Sequence, residues 1–172
     1  MILRRQDGSV DFTKKWEDYK VGFGSLTGEF WAGNEFVHQL TTSGRRFALR
    51  VELESYTKLH IYAEYKSFLL GSESDNYRLH VKDYCTTSTA GDSLSYHDEM
   101  MFTTETRDND LHQTLNCAVA FEAPWWYKSC HQALLTGHYG ENVAPNKGIK
   151  WVQPFGNGIF AKKAIMMIRP LN

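Results

Sequence analysis

Apolar and polar positions follow two regimes along this chain. From Phe47 to Leu53 they alternate with period two, as expected of a half-buried strand. Further strand-like runs at 61–65, 68–70 and 77–81 follow at hairpin-like separations, so these strands are expected to pair antiparallel. Upstream, residues 13–19 predict a short helix, capped by Asp11 or Thr13 and ended by Gly22 and Gly24. Residues 34–40 predict a second helix, with Phe36, Val37 and Leu40 as its apolar face. From Tyr84 onward the periodicity disappears for about 75 residues, apart from a short helix expected at 94–100. It returns at 164–168, which can re-enter the first-half sheet as a strand.

Loops of that length in one domain are usually functional. The expected architecture is therefore a single α+β domain over residues 1–172. Its platform is an antiparallel sheet with short flanking helices, built from 1–83 and 160–172. Residues 84–159 form a large, loop-rich binding subdomain on it.

Composition narrows the partners. Nineteen basic and 20 acidic side chains give a net charge of −1, with no basic run or stripe. That argues against a nucleic-acid backbone or an anionic membrane as the main partner. No apolar run approaches the roughly 18 residues of a membrane span. Aromatics reach 14%, and 13 Gly accompany them, so large rings packing irregular structure are expected. No signal peptide opens the sequence, which leaves an intracellular protein or a trimmed chain open.

The densest chemistry lies between Asp108 and His131. Cys117 and Cys130 sit in a segment too irregular to hold itself together, so a disulfide between them is the economical reading. It would stabilise the fold by about 3 kcal/mol and point to an oxidising, extracellular compartment. Cys85 is left over: a buried thiol, a partner in missing sequence or an intermolecular bond. Asp108-Asn109-Asp110 can aim two carboxylates at one cation, with backbone carbonyls at His112 and Thr114 completing a calcium shell; a solvated acidic turn is the alternative. Trp125-Trp126-Tyr127 is either a stacking platform for a ligand or core packing. His131 is either a ligand donor or a satisfied structural histidine.

Catalytic patterns are weak. Gly91-Asp92-Ser93-Leu94 spells a hydrolase box, but no D-x-x-H supplies its base and no βα alternation supplies its scaffold. The seven histidines follow no zinc spacing.

Taken in order, the segments resemble the fibrinogen C-terminal domain of ficolins, tachylectins, tenascins and angiopoietins. The resemblance is carried by Arg4-Arg5-Gln6-Asp7-Gly8-Ser9, Trp16-Glu17-Asp18-Tyr19, Gly28-Glu29-Phe30-Trp31, Asp75-Asn76-Tyr77, Gly91-Asp92-Ser93-Leu94, Asp108-Asn109-Asp110, Asn116-Cys117, Trp125-Trp126-Tyr127, Cys130-His131 and Arg169-Pro170. It reassigns Gly91-Asp92-Ser93-Leu94 to the family's own pattern. It spans nearly all of the sequence, with the family's N-terminal subdomain missing.

The resemblance implies a twisted antiparallel sheet, the Cys117–Cys130 disulfide and a Ca2+ site at Asp108, Asp110, His112 and Thr114. It also implies a cis peptide at Ser129–Cys130, turning the N–H groups of Cys130 and His131 toward a ligand pocket. That pocket would involve Phe121, Trp126, Cys130, His131, Asn146 and Asn157. Its far wall, around Pro145, Asn157 and Ile159, is where the sequence departs from the acetyl-binding lectins. The implied function is a non-enzymatic, secreted, calcium-stabilised recognition module for a glycan or acetylated surface ligand, with innate immunity as a setting. The alternative is a matrix or receptor-binding module of tenascin or angiopoietin type, making protein contacts. Homo-oligomers are common in the family.

Overall fold

The computed structural model describes residues 1–154 and 158–171. In sequence order the elements are β1 (Leu3–Arg5), α1 (Trp16–Val21), β2 (Phe23–Gly24), β3 (Phe30–Trp31), α2 (Asn34–Thr41), β4 (Phe47–Ser55), β5 (His60–Leu70), β6 (Leu79–Tyr84), α3 (Cys117–Phe121), β7 (Ala133–Leu134), β8 (Lys150–Trp151) and β9 (Ile159–Pro170). The main sheet runs β2-β3-β1-β9-β4-β5-β6, and its neighbours pair antiparallel. It is an open sheet: β2 and β6 are its edges, while β7 pairs with β8, and β8 with the start of β9.

Strand β4 shows why this register holds. Phe47, Leu49, Val51 and Leu53 are buried on one face, while Arg50, Glu52 and Glu54 stand on the other. A one-residue slip would turn the whole apolar set to water. The C-terminal strand β9 fills the centre, with Met166 opposite both Leu3 and Val51. The strand expected at 164–168 is thus a twelve-residue central one.

Several expectations need correction. The first helix starts at Trp16, three residues late, because Asp11 accepts the Thr13 N–H (2.8 Å) in a local turn and Asp18 caps Lys15 N–H instead (3.1 Å). Phe36 does not join the buried face of α2; it is 53% exposed, whereas Val37 and Thr41 face inward. The two strands expected at 61–65 and 68–70 are one, β5; exposed Lys66 and Ser67 break its alternation without breaking the strand. Tyr77 has a positive φ of 48° and lies in the core before β6 starts. The helix expected at 94–100 is a single 3-10 turn, Ser95–His97.

The core is aromatic. Phe102 lies 5.2 Å from both Tyr19 and Trp126, Trp31 packs 5.9 Å from Trp126, and Trp16 stacks on Tyr77 at 5.6 Å. A buried ion pair ties the N-terminal motif to this body. Glu29 accepts backbone N–H bonds from Gln6 (2.8 Å), Gly8 (3.1 Å) and Val10 (3.1 Å), and meets Arg5 Nε at 3.4 Å. Arg5 Nη1 reaches across to the carbonyls of Gly137 (2.7 Å) and Leu135 (3.2 Å). Burial alone would raise the Glu29 pKa, but these N–H groups and Arg5 hold it below the usual carboxylate range. No helix among the described residues is long and apolar enough to cross a membrane.

Candidate functional site

The site grows from two segments joined by a disulfide. Cys117 opens α3, whose N-cap Asn116 accepts the N–H groups of Ala118 (2.8 Å) and Val119 (3.1 Å). Cys117 bonds to Cys130, thirteen positions further on, with Cα atoms 5.7 Å apart. Cys85 is a half-buried free thiol.

Asp108 and Asp110 stand at the turn before α3. Asp110 accepts the His112 N–H through Oδ1 and the Cys117 N–H through Oδ2, each at 2.8 Å, so the acidic loop is tied to the disulfide. Burial raises the Asp110 pKa, the neighbouring Asp108 charge adds to that, and the two N–H bonds oppose it. Two adjacent carboxylates, one of them desolvated, form a hard-oxygen set that suits a divalent cation. Among the described residues no three His, Cys, Asp or Glu side chains converge on a metal position, so further ligands would be backbone carbonyls or water.

The second segment, 126–133, is held by His97, which closes the family-like stretch 89–97 but was given no role from the sequence. His97 is fully enclosed. Its Nδ1–H donates to the Trp126 carbonyl at 2.6 Å, and its Nε2 accepts from the N–H groups of Gln132 (3.1 Å) and Ala133 (3.0 Å). Those roles require the neutral ring. Burial lowers its pKa to about 3. Between these anchors lies Cys130, with the Ser129–Cys130 peptide cis.

His131 projects from the anchored turn. Its ring stands edge-on to Phe121, centroids 4.6 Å apart and planes at 84°, and 6.0 Å from Tyr127. Its Nε2–H donates to the Asn146 carbonyl at 3.0 Å. The other nitrogen, Nδ1, is buried with no hydrogen-bond partner among the described residues. Burial lowers the ring's pKa to about 4, and the Lys150 charge pushes the same way. At neutral pH, Nδ1 is therefore an unused acceptor. Asn146 adopts a positive φ of 66°, and its side-chain oxygen accepts from Lys150 Nζ.

Phe121, Cys130, His131 and Asn146 thus come together. Trp126 does not join them as a pocket wall: it is 1% exposed and donates its indole N–H to the Tyr77 carbonyl at 2.8 Å. Trp125 and Tyr127 are equally buried, so the triplet is core packing. Asn157 lies outside the described residues. Ser93 of the hydrolase-like box is buried and accepts the Gln153 N–H at 2.8 Å.

The family profile for the C-terminal globular domain of the fibrinogen beta and gamma chains matches residues 1–171. This protein belongs to the fibrinogen C-terminal domain family. Human ficolin-3 is 44% identical over 98% of this chain and 56% of its own length. Tenascin-R of Gallus gallus is 41% identical over the whole chain but only 12% of itself. The chain therefore spans little more than half of one relative and a small part of the other. Among solved structures, the fibrinogen-like globe domain of human ANGPTL6 superposes with a TM-score of 0.92 at 40% identity, covering 99% of this chain and 77% of that one. The α+β sheet fold expected from the sequence is that of this family.

Proposed function

We propose that this domain is a non-enzymatic, extracellular recognition module that binds a glycan or acetylated group beside Cys130 and His131. The observation that carries this reading is the buried, unpartnered Nδ1 of His131 next to the Phe121 ring. Leaving a buried polar atom unpaired costs about 1–3 kcal/mol, and a shift of the turn that uncovers Nδ1 to a donating ligand group recovers that cost. An acetamido N–H or a sugar hydroxyl is such a donor, and the Phe121 face suits a methyl group or a sugar C–H surface. Kinship with ficolin-3 supports the reading, and the disulfide supports an oxidising compartment.

Calcium fits as a structural partner. Asp108 and Asp110 would hold it, with the backbone carbonyls of His112 and Thr114. A bound ion would neutralise the charge that Asp108 and Asp110 bring together. Because Asp110 also holds the Cys117 N–H, and Leu111 N–H donates to the Lys128 carbonyl at 2.8 Å, the acidic loop is coupled to the 128–131 turn.

A second reading, a protein-binding module, is favoured by kinship with tenascin-R and the ANGPTL6 globe domain. A glycan and acetyl-ligand screen, with and without EDTA and with His131→Ala, decides between them. Binding to acetylated sugars that is lost in His131→Ala supports the first reading. Binding that ignores both EDTA and His131→Ala rejects the pocket and the role of calcium in it.

A further inference from the structure

Two lysines frame the His131 turn without carboxylate partners among the described residues. Lys150, on β8, is half-buried, and its Nζ contacts the Asn146 side-chain oxygen and sits 5.9 Å from the Phe160 ring. No carboxylate among the described residues lies within ion-pair distance of it, in contrast to Lys147, whose ammonium is taken by Glu122. The same Glu122 also accepts from His138 Nε2 at 2.8 Å, so that carboxylate is already used twice. On the other side Lys128 lies over the Tyr96 ring at 5.2 Å, again with no carboxylate partner among the described residues. Its N–H donates to the Cys130 carbonyl at 2.9 Å, which fixes it one turn from His131.

An ammonium that is partly desolvated and unpaired is unfavourable by itself. Desolvation accordingly lowers the Lys150 pKa, and Lys150 in turn disfavours a charged His131. His131 stays a neutral acceptor while Lys150, one residue contact away through Asn146, stays a cation. A ligand matching both carries a hydrogen-bond donor and, next to it, an anion.

We propose that the pocket beside His131 selects acidic sugars, with Lys150 receiving their carboxylate or sulfate and Asn146 orienting the ammonium. This rests on the glycan reading above and names the class of glycan. Lys128 adds attraction at longer range rather than a contact.

The test titrates the protein, in calcium, with N-acetylglucosamine, N-acetylglucosamine-6-sulfate and N-acetylneuraminic acid. All three carry the acetamido group, and only the last two are charged, one by sulfate and one by carboxylate. At least one anionic sugar is expected to bind about tenfold more tightly than the neutral one, the size of a charge-assisted hydrogen bond at a half-exposed site. The preference shrinks as salt rises. Lys150→Met abolishes it and Lys150→Arg retains it. A preference for one anion alone supports the inference and identifies the charged group. Since the strand bonds of β8 are backbone bonds, an unchanged thermal midpoint in Lys150→Met shows that the fold is intact. Equal affinity for neutral and charged sugars, or a preference that survives Lys150→Met, overturns the inference. If such binding is still lost in His131→Ala, the glycan reading stands without it. No binding of any of the three sugars overturns both.

Discussion

Replacing His97 with Leu removes the anchor of the recognition turn without touching the proposed pocket. The variant strands one carbonyl, Trp126 O, and two N–H groups, those of Gln132 and Ala133, in the interior. At about 1–3 kcal/mol for each stranded group, and with partial relaxation, the expected loss is about 3–6 kcal/mol. The same residue ties stability to pH. Its pKa falls from 6.5 to about 3 on folding, so the unfolded state binds the proton first as pH drops. The stabilisation is complete above pH 6.5 and is lost progressively toward pH 3. At pH 5 the deficit is about 2 kcal/mol, at 1.36 kcal/mol per pKa unit. Urea unfolding followed by tryptophan fluorescence at pH 7.5 and pH 5 measures both effects. The wild-type protein should lose at least that 2 kcal/mol, and His97→Leu should be weaker at pH 7.5 but lose less on acidification. An equally steep pH dependence in the variant, or a neutral-pH cost under 1 kcal/mol, would refute the assignment of His97 as a neutral three-point anchor.

Three further outcomes are expected. Glu29→Ala leaves Arg5 buried without its partner and frees four N–H groups, so a destabilisation of about 3–5 kcal/mol should appear in the same urea assay. Reducing Cys117–Cys130 should lower stability by about 3 kcal/mol, read from denaturation with and without a phosphine reductant. Calcium should raise the thermal midpoint of the wild-type protein and not of Asp108→Asn, and an equal rise in both would reject Asp108 as a ligand.

The sheet was legible because its residues alternate and its register has one apolar solution. Strand β4 and the heart of β9 follow from that pattern alone. What was not legible depends on partners far away in sequence. Strands β1, β2 and β3 are two or three residues long, too short for any period to register. Phe36 looked like a core residue because only packing, not spacing, decides which side of α2 meets the sheet. Helix α3 carried a signal that went unread, Asn116 as its cap. In the site, Cys117 and Cys130 were readable as a pair, and the family motifs brought Phe121, His131 and Asn146 with them. Trp126 was placed in the pocket by the motif but belongs to the core, since its N–H is satisfied by Tyr77. His97 ends the family-like stretch 89–97, but its anchoring role was not legible because its three partners lie 29 to 36 positions away. Lys150 gave no sequence signal either: its lack of a carboxylate partner among the described residues appears only once the protein is folded.

The most direct measurement of the central claim is the NMR response of the histidine rings to N-acetylglucosamine and its acidic counterparts in calcium. If the ligand binds beside His131 as proposed, the His131 ring signals shift on titration, because the ligand donates to Nδ1, and Phe121 moves with them. The His97 signals, from a fully buried ring, stay nearly in place. Saturable binding that shifts resonances elsewhere and leaves His131 unmoved would contradict the account.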